Sequence, residues 1–172
     1  ISAGGFPFIE KLTLSSGFFD TGTTSLAGSG CLLVWQNIEN DTDNEAMQIY
    51  VGDSGGVKTS GYTNMGKLWR RDGETGYGNN ASSYGQLDTE IATYGRLGNA
   101  AGEQSSGHVY VSSDGTYCTF YGVNAFMNTV NKASQNVFFG MVACAAITQI
   151  QIKPSGGNFD NGEVMLYNIA EA

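Results

Sequence analysis

Proline is nearly missing from this 172-residue chain, and basic charge is scarce. It holds 2 prolines, 8 lysines and arginines together, 1 histidine and 3 cysteines. Each scarcity removes a class of function. Against 16 acidic residues the formal net charge is −8, so a phosphate backbone is repelled and no nucleic-acid partner is expected. Arg70-Arg71 is the only adjacent basic pair, far short of a basic patch. Anionic membranes are disfavoured for the same reason. The longest apolar run, Val137 to Ile147, is interrupted at Gly140 and is too short to cross a bilayer, so no membrane partner is expected. One histidine and no Cys-x-x-Cys pair leave no zinc site, and neither metal nor cofactor is expected. The first residues carry no signal-peptide pattern.

What is abundant points one way. Glycine reaches 25 residues and aromatics 12%, while charged residues stay at 14%. That composition fits an all-β protein with many turns and a surface of Asn, Gln, Ser and Thr. The length is that of one domain, here 1–172, long enough to bury its own core. Cys31, Cys118 and Cys144 all lie in strand-like runs. Two readings stand for them: buried free thiols packing as small hydrophobes, or one disulfide with a thiol left over.

Alternation of apolar and polar residues marks eight strands. They are Ile9–Leu14, Cys31–Trp35, Met47–Val51, His108–Ser112, Tyr117–Val123, Val137–Cys144, Ile147–Lys153 and Glu163–Ile169. Cys31–Trp35 is apolar throughout and reads as a central strand buried on both faces; Val137–Cys144 reads as the strongest core strand. Strands at this spacing, with Gly/Asn/Ser turns between them, predict an antiparallel two-sheet sandwich, jelly-roll-like. The last two runs flank Pro154 to Gly162 and read as a closing hairpin, with a bulge or strand end near Tyr167 where the apolar parity slips.

The middle is different. Residues 57–107 are rich in Gly, Asn and Tyr with little periodicity, and read as a loop-rich insertion on one face. Extra short strands are expected there, with a strand or helical turn within Thr89–Leu97. Binding tends to sit on such loops. The contact candidates are Trp69, Arg70, Arg71, Tyr77, Asn79, Asn80 and Tyr84. Aromatic faces stack on sugars or partner side chains, and Trp and Arg are favoured interface anchors. The structural alternative is that Trp69 plugs a loop onto the sandwich.

Gly52-Asp53-Ser54-Gly55-Gly56 spells the nucleophile segment of chymotrypsin-like proteases. The chemistry fails, because a serine nucleophile needs a base, normally a histidine held by a carboxylate. The one histidine, His108, follows Ser54 and sits inside a strand pattern. A plain turn after Met47–Val51 is expected instead. The acidic stretch Glu39 to Glu45 does not fit an EF-hand, since Ala46 and Gly52 fall where Gly and Glu are required; it reads as a solvated inter-strand loop, with a calcium site of another kind as the lesser alternative. No catalytic pair of carboxylates can be picked out, and no enzyme activity is expected.

The closing stretch resembles that of a β-sandwich family found in tailed-bacteriophage structural proteins. The resemblance rests on Ala146, Ile147, Thr148 and Ile150, then Pro154, Ser155, Gly157, Asn158 and Phe159, and finally Leu166, Tyr167 and Ile169. Gly52-Asp53-Ser54-Gly55 and the opening Gly4 to Ser16 are similar to further family segments, although Val51 stands where the family has Asn. The resemblance implies a non-enzymatic virion component, decorating or cementing a capsid or forming a small part of a tail. Its partners would be other virion proteins and copies of itself. A carbohydrate-binding module for a host surface glycan is the alternative expectation.

Overall fold

The structure, a computed structural model, describes residues 8–14, 17–22, 26, 30–43, 45–70, 75–82, 85–86, 100, 102–128 and 132–169. For residues 70, 75–82, 86, 128 and 132 the description covers the backbone alone. The described residues form strands and no helix. In chain order these are β1 (Phe8–Thr13), β2 (Phe19–Asp20), β3 (Gly30–Asn40), β4 (Met47–Asp53) and β5 (Gly56–Val57). Then come β6 (Tyr62–Arg70), β7 (Thr75–Ser82), β8 (Gly85–Gln86) and β9 (Ser105–Ser113). Last are β10 (Tyr117–Asn128), β11 (Lys132–Ala143), β12 (Gln149–Pro154) and β13 (Phe159–Ile169).

Two antiparallel sheets pack as a sandwich, as the alternation predicts. One has eight strands in the order β1-β13-β3-β9-β10-β11-β6-β7. The other has five, β2-β12-β4-β5 with β8 also on β4. One side-chain parity of each strand points between the sheets. From the large sheet these include Leu33, Trp35, Phe120 and Phe138; from the small one Met47, Ile49, Ile150 and Ile152. Burying each large apolar side chain contributes about 1.5–3 kcal/mol. Trp35 stacks on Phe138 at 6.5 Å between centroids, and its Nε1 donates to Ser105 Oγ at 3.0 Å. Gly140, which breaks the longest apolar run, faces Phe120; a Cβ there would run into the ring. All three cysteines are buried and unpaired, so the free-thiol reading holds. Burial pushes the Cys31 thiol up to about 12.

Each of the eight expected strands exists, but three expectations need correction. The closing segment is not a hairpin. β12 pairs with β2 and β4 in the small sheet, while β13 pairs with β1 and β3 in the large one. The loop between them crosses from one layer to the other. The chain makes the same crossing between β3 and β4, and the two crossings grip each other. Asp41 N donates to Asn158 O at 3.0 Å, and Asn158 N donates to Asp41 Oδ1 at 2.8 Å. Asn40 Nδ2 donates to Gly156 O at 3.2 Å, and Ser155 Oγ donates to the Glu45 carboxylate. The acidic stretch is the expected inter-strand loop, exposed at Asp41, Thr42 and Asp43, and it also serves as a clasp. Bonds from Asn158 and Thr42 hold the Asp41 carboxyl below its ordinary range. Gly157, at φ 69°, lies against Thr42 Oγ1 and Asp41 Oδ1 with no room for a Cβ.

The irregularity expected near Tyr167 is present: Phe8 opposes Tyr167 while Glu10 opposes Leu166, so β1 bulges there, and β13 ends two residues on at Ile169. Against β3 the register is regular at this point, and the irregularities lie at Phe159–Glu163. Ile169 shares the outer parity of Met165 and Tyr167, which is why the apolar spacing changes. The second correction concerns Cys31–Trp35: Cys31, Leu33 and Trp35 are buried, whereas Leu32 and Val34 are half-buried on the other face. The third concerns residues 57–107, where the expected extra strands exist but are not all short. β6 and β7 are long strands that extend the large sheet, and β8 caps β4. The Thr89–Leu97 expectation lies outside the described residues.

Candidate functional site

The face of the large sheet that points away from the core is apolar. Antiparallel register sets directly opposed residues side by side, and their side chains touch. Starting at β6, Met65 opposes Phe139, Phe139 opposes Tyr121, and Tyr121 opposes Tyr110. The line continues as Tyr110 opposite Leu32, Leu32 opposite Tyr167, and Tyr167 opposite Phe8. One row of large apolar groups thus spans seven strands. The row beside it, two residues along each strand and three along the bulged β1, reads Lys67, Val137, Val123, His108, Val34, Met165 and Lys11. Neither row contains a carboxylate.

Exposure confirms that nothing described covers this face. Met65 is 55% exposed, Tyr121 52% and Phe139 40%. Phe8, Met127, Val137, Tyr117 and Trp69 are exposed on the same side. Exposed apolar area of this extent marks interaction surfaces. The rings are not coplanar. Tyr110 and Tyr121 sit 5.1 Å apart with planes at 51°, and Phe8 meets Tyr167 edge-on at 5.6 Å and 68°.

The small sheet contrasts with it. Its outer face carries Asp20, which accepts from Gln149 Nε2 at 2.9 Å and from Gln151 Nε2 at 2.8 Å. Lys153 Nζ lies 4.1 Å from the Tyr50 ring centroid. Water solvates that layer, and the two outer faces of one sandwich differ in kind.

Of the contact candidates, Trp69 stands at the outer end of β6, 39% exposed, with Lys67 Nζ 4.8 Å from its ring centroid. It does not plug a loop onto the sandwich; it is part of the large sheet's outer face. Arg70 pairs with Ser134 through its backbone. On β7, Tyr77 pairs with Lys67, Asn79 with Met65 and Asn80 with Asn64, again by backbone. The side chains of those four, and Arg71 and Tyr84 entirely, lie outside the described residues.

The protease-like segment is a turn. Gly52 pairs with Val57 and Asp53 with Gly56, leaving Ser54 exposed at the tip. Asp53 bonds Lys58 Nζ at 2.7 Å and accepts from Gly55 N at 2.9 Å and Ala145 N at 3.1 Å. Lys58 foremost, with the two amides, holds its carboxyl down to about 2. Tyr62, fully buried, closes the turn: Val51 N donates to its hydroxyl at 2.9 Å, and that hydroxyl donates to Lys58 O at 3.2 Å. His108 sits on the outer face of the other sheet, so Ser54 has no imidazole beside it. A shallow cleft of about 250 Å³ at the β3–β13 bulges is lined by Gln36, Asn37, Gln104, Asn161 and Glu163 among others, and holds no nucleophile–base pair.

No protein-family model matches this chain, and no curated protein matches it. Among solved structures, a slight likeness is to a glycosyl hydrolase family protein from Mycobacterium fortuitum. It has 9% identity and a TM-score of 0.26, over 91% of this chain and 73% of that one. A likeness so slight decides nothing about activity.

Sequence reasoning missed the outer rows. The signal was present: Cys31–Trp35 and Val137–Val142 are apolar at both parities. For Cys31–Trp35 that apolarity suggests burial on both faces, and for Val137–Cys144 a core strand. In this sandwich one parity fills the core and the other coats the outer surface.

Proposed function

We propose that this chain is a non-enzymatic structural protein that works by protein–protein contact through the outer face of its large sheet, exposed on a phage particle. The observation that carries this reading is the pair of carboxylate-free, mainly apolar rows at the centre of that face, on a chain of net charge −8. Such area in water is costly, at about 25 cal/mol per Å², and covering it returns that free energy. A contact repeated on a symmetric particle gains further through effective concentration. The polar outer layer of the small sheet then stays in water. The placement on a phage particle leans on the resemblance of the closing segment and the Gly-Asp-Ser-Gly turn. A sugar-binding role finds less support: Trp69 has Lys67 over its ring, and the rings of the row are tilted against one another.

Mass spectrometry of purified particles of the encoding phage tests the reading. The chain is expected at a fixed, multi-copy ratio to the major capsid or tail protein, and particles assembled with Phe139→Glu are expected to lose it. Particles devoid of the chain would refute the proposal.

A further inference from the structure

We propose that the outer face of the eight-stranded sheet is a self-association surface, on which the same face of a second copy packs. The inference rests on the assembly reading above and names its first partner. Three features of the face select that occupant.

The first is charge. Two copies carrying −8 each repel one another, and they can meet only where neither presents carboxylates. The central rows meet that condition from Met65 to Phe8 and from Lys67 to Lys11, with the lysines at the two ends. The nearest carboxylate at the Lys11 end, Glu163, is already paired with it at 2.7 Å. A partner that brought charges onto Tyr121, Val123 or Phe139 would leave them desolvated and unpaired. The surface that fits is uncharged and apolar, and this face is itself one.

The second is area. Seven strands at about 4.8 Å spacing span about 34 Å, and the two apolar rows with one flanking row on each side, about 7 Å apart, cover about 27 Å along them. The flanking rows, with Thr63 and Thr119 on one side and Gln135, Gln36 and Glu163 on the other, make the polar rim of the patch. The product, roughly 900 Å², matches the ~800 Å² per partner of a standard stable interface.

The third is relief. Rings tilted at 51° and 68° leave ridges and furrows, not a plane. A pyranose stacks on a flat ring and needs hydrogen-bonding neighbours, whereas Val137, Val123, Val34 and Met165 flank this row. Ridged apolar sheets interdigitate with other sheets about 10 Å away, commonly aligned at about −30°. Met65 and Met165 can adapt to the fit. A C2 pair uses one patch twice, so a single face suffices.

Sedimentation equilibrium of the purified chain, over a micromolar concentration series, reads the outcome. The expected species has twice the 18.2 kDa chain mass. Tyr121→Glu and Phe139→Glu are each expected to weaken pairing by roughly 30-fold or more, as loss of a central anchor does. Ser54→Glu, in the β4–β5 turn, is expected to leave pairing unchanged. Hydroxyl-radical footprinting of the unaltered chain gives a readout independent of folding in the variants. Met65, Tyr121 and Phe139 are expected to become protected as concentration rises. A monomer throughout, or a dimer indifferent to both glutamates with those residues labelled equally at all concentrations, overturns the proposal. So does a monomer whose face is protected only by soluble oligosaccharides or only by intact particles. If particles carry the chain while the pure chain stays monomeric, self-pairing falls and the assembly reading stands. If the pure chain pairs through this face but particles lack it, self-pairing stands and the assembly reading falls.

Discussion

Replacing Tyr62 with phenylalanine tests how the protease-like segment is used. The ring is fully buried and packs 6.4 Å from Phe120, so the substitution keeps the packing and removes a single oxygen. That oxygen serves two backbone groups. In an antiparallel ladder a residue's N–H and C=O point to the same neighbour. Val51 O accepts from Lys58 N at 2.9 Å, but β5 spans only Gly56–Val57, and Val51 N turns to the tyrosine hydroxyl at 2.9 Å. Phenylalanine leaves that buried amide unsatisfied, which costs about 1–3 kcal/mol. Lys58 is only half-buried, so water can replace the donor its carbonyl loses. The net cost is therefore about 2 kcal/mol, or a fall in Tm of about 4–8 °C for a chain of this length. Urea and thermal melts followed by circular dichroism measure it. Tyr117→Phe, at an exposed ring, is the control and should shift stability by less than about 0.5 kcal/mol. Equal stability of Tyr62→Phe and the parent chain would refute the reasoning, because the Val51 amide would then have another acceptor.

Two further predictions concern the turn and the clasp. Gly157→Ala places a Cβ into Thr42 and Asp41 at a left-handed φ, and should destabilise the fold by about 2–4 kcal/mol in urea titration; a loss below about 0.5 kcal/mol would mean the two crossing loops are not clasped. Asp53 has a depressed carboxyl, so its contribution is present above the unfolded value near pH 4 and is lost as pH falls through about 2. The stability gap between the parent chain and Asp53→Asn should be no more than about 2 kcal/mol at neutral pH, reduced by solvent, and should close between pH 4 and 2; a gap independent of pH would show that Asp53 is not held by Lys58.

The strands were legible because alternation is a local property. Ile150 and Ile152, or Val164 and Leu166, name their own core face without reference to any partner. The cysteines were legible as buried apolar groups for the same reason, though not the absence of a disulfide. The layer each strand joins was not legible. Glycine and asparagine at 155–158 announce a turn, but both a hairpin and a crossing between sheets need one. The choice is made by Asp41, Asn40 and Glu45, more than a hundred residues away. Gly52 to Gly56 was legible in outline: a single histidine, downstream of Ser54 and inside a strand pattern, already pointed to a turn, and the structure adds that His108 lies on the opposite sheet.

The candidate face was half-legible. Trp69 was singled out by residue type, and it does lie on the face. The central row was not found, because an apolar residue in a strand announces that it avoids water, not what keeps water away.

By itself, then, the order of residues determined that this chain is made of strands, where most of them lie, and which residues of each strand share a side. Tertiary structure decided which of those sides meets the other sheet and which is left facing outward. The physical reason is that a strand's pleat separates its two faces within a few residues, whereas the cover for either face comes from segments far along the chain. Phe139 and Tyr121 became surface only once Phe138 and Phe120, their immediate neighbours, had filled the space between the sheets.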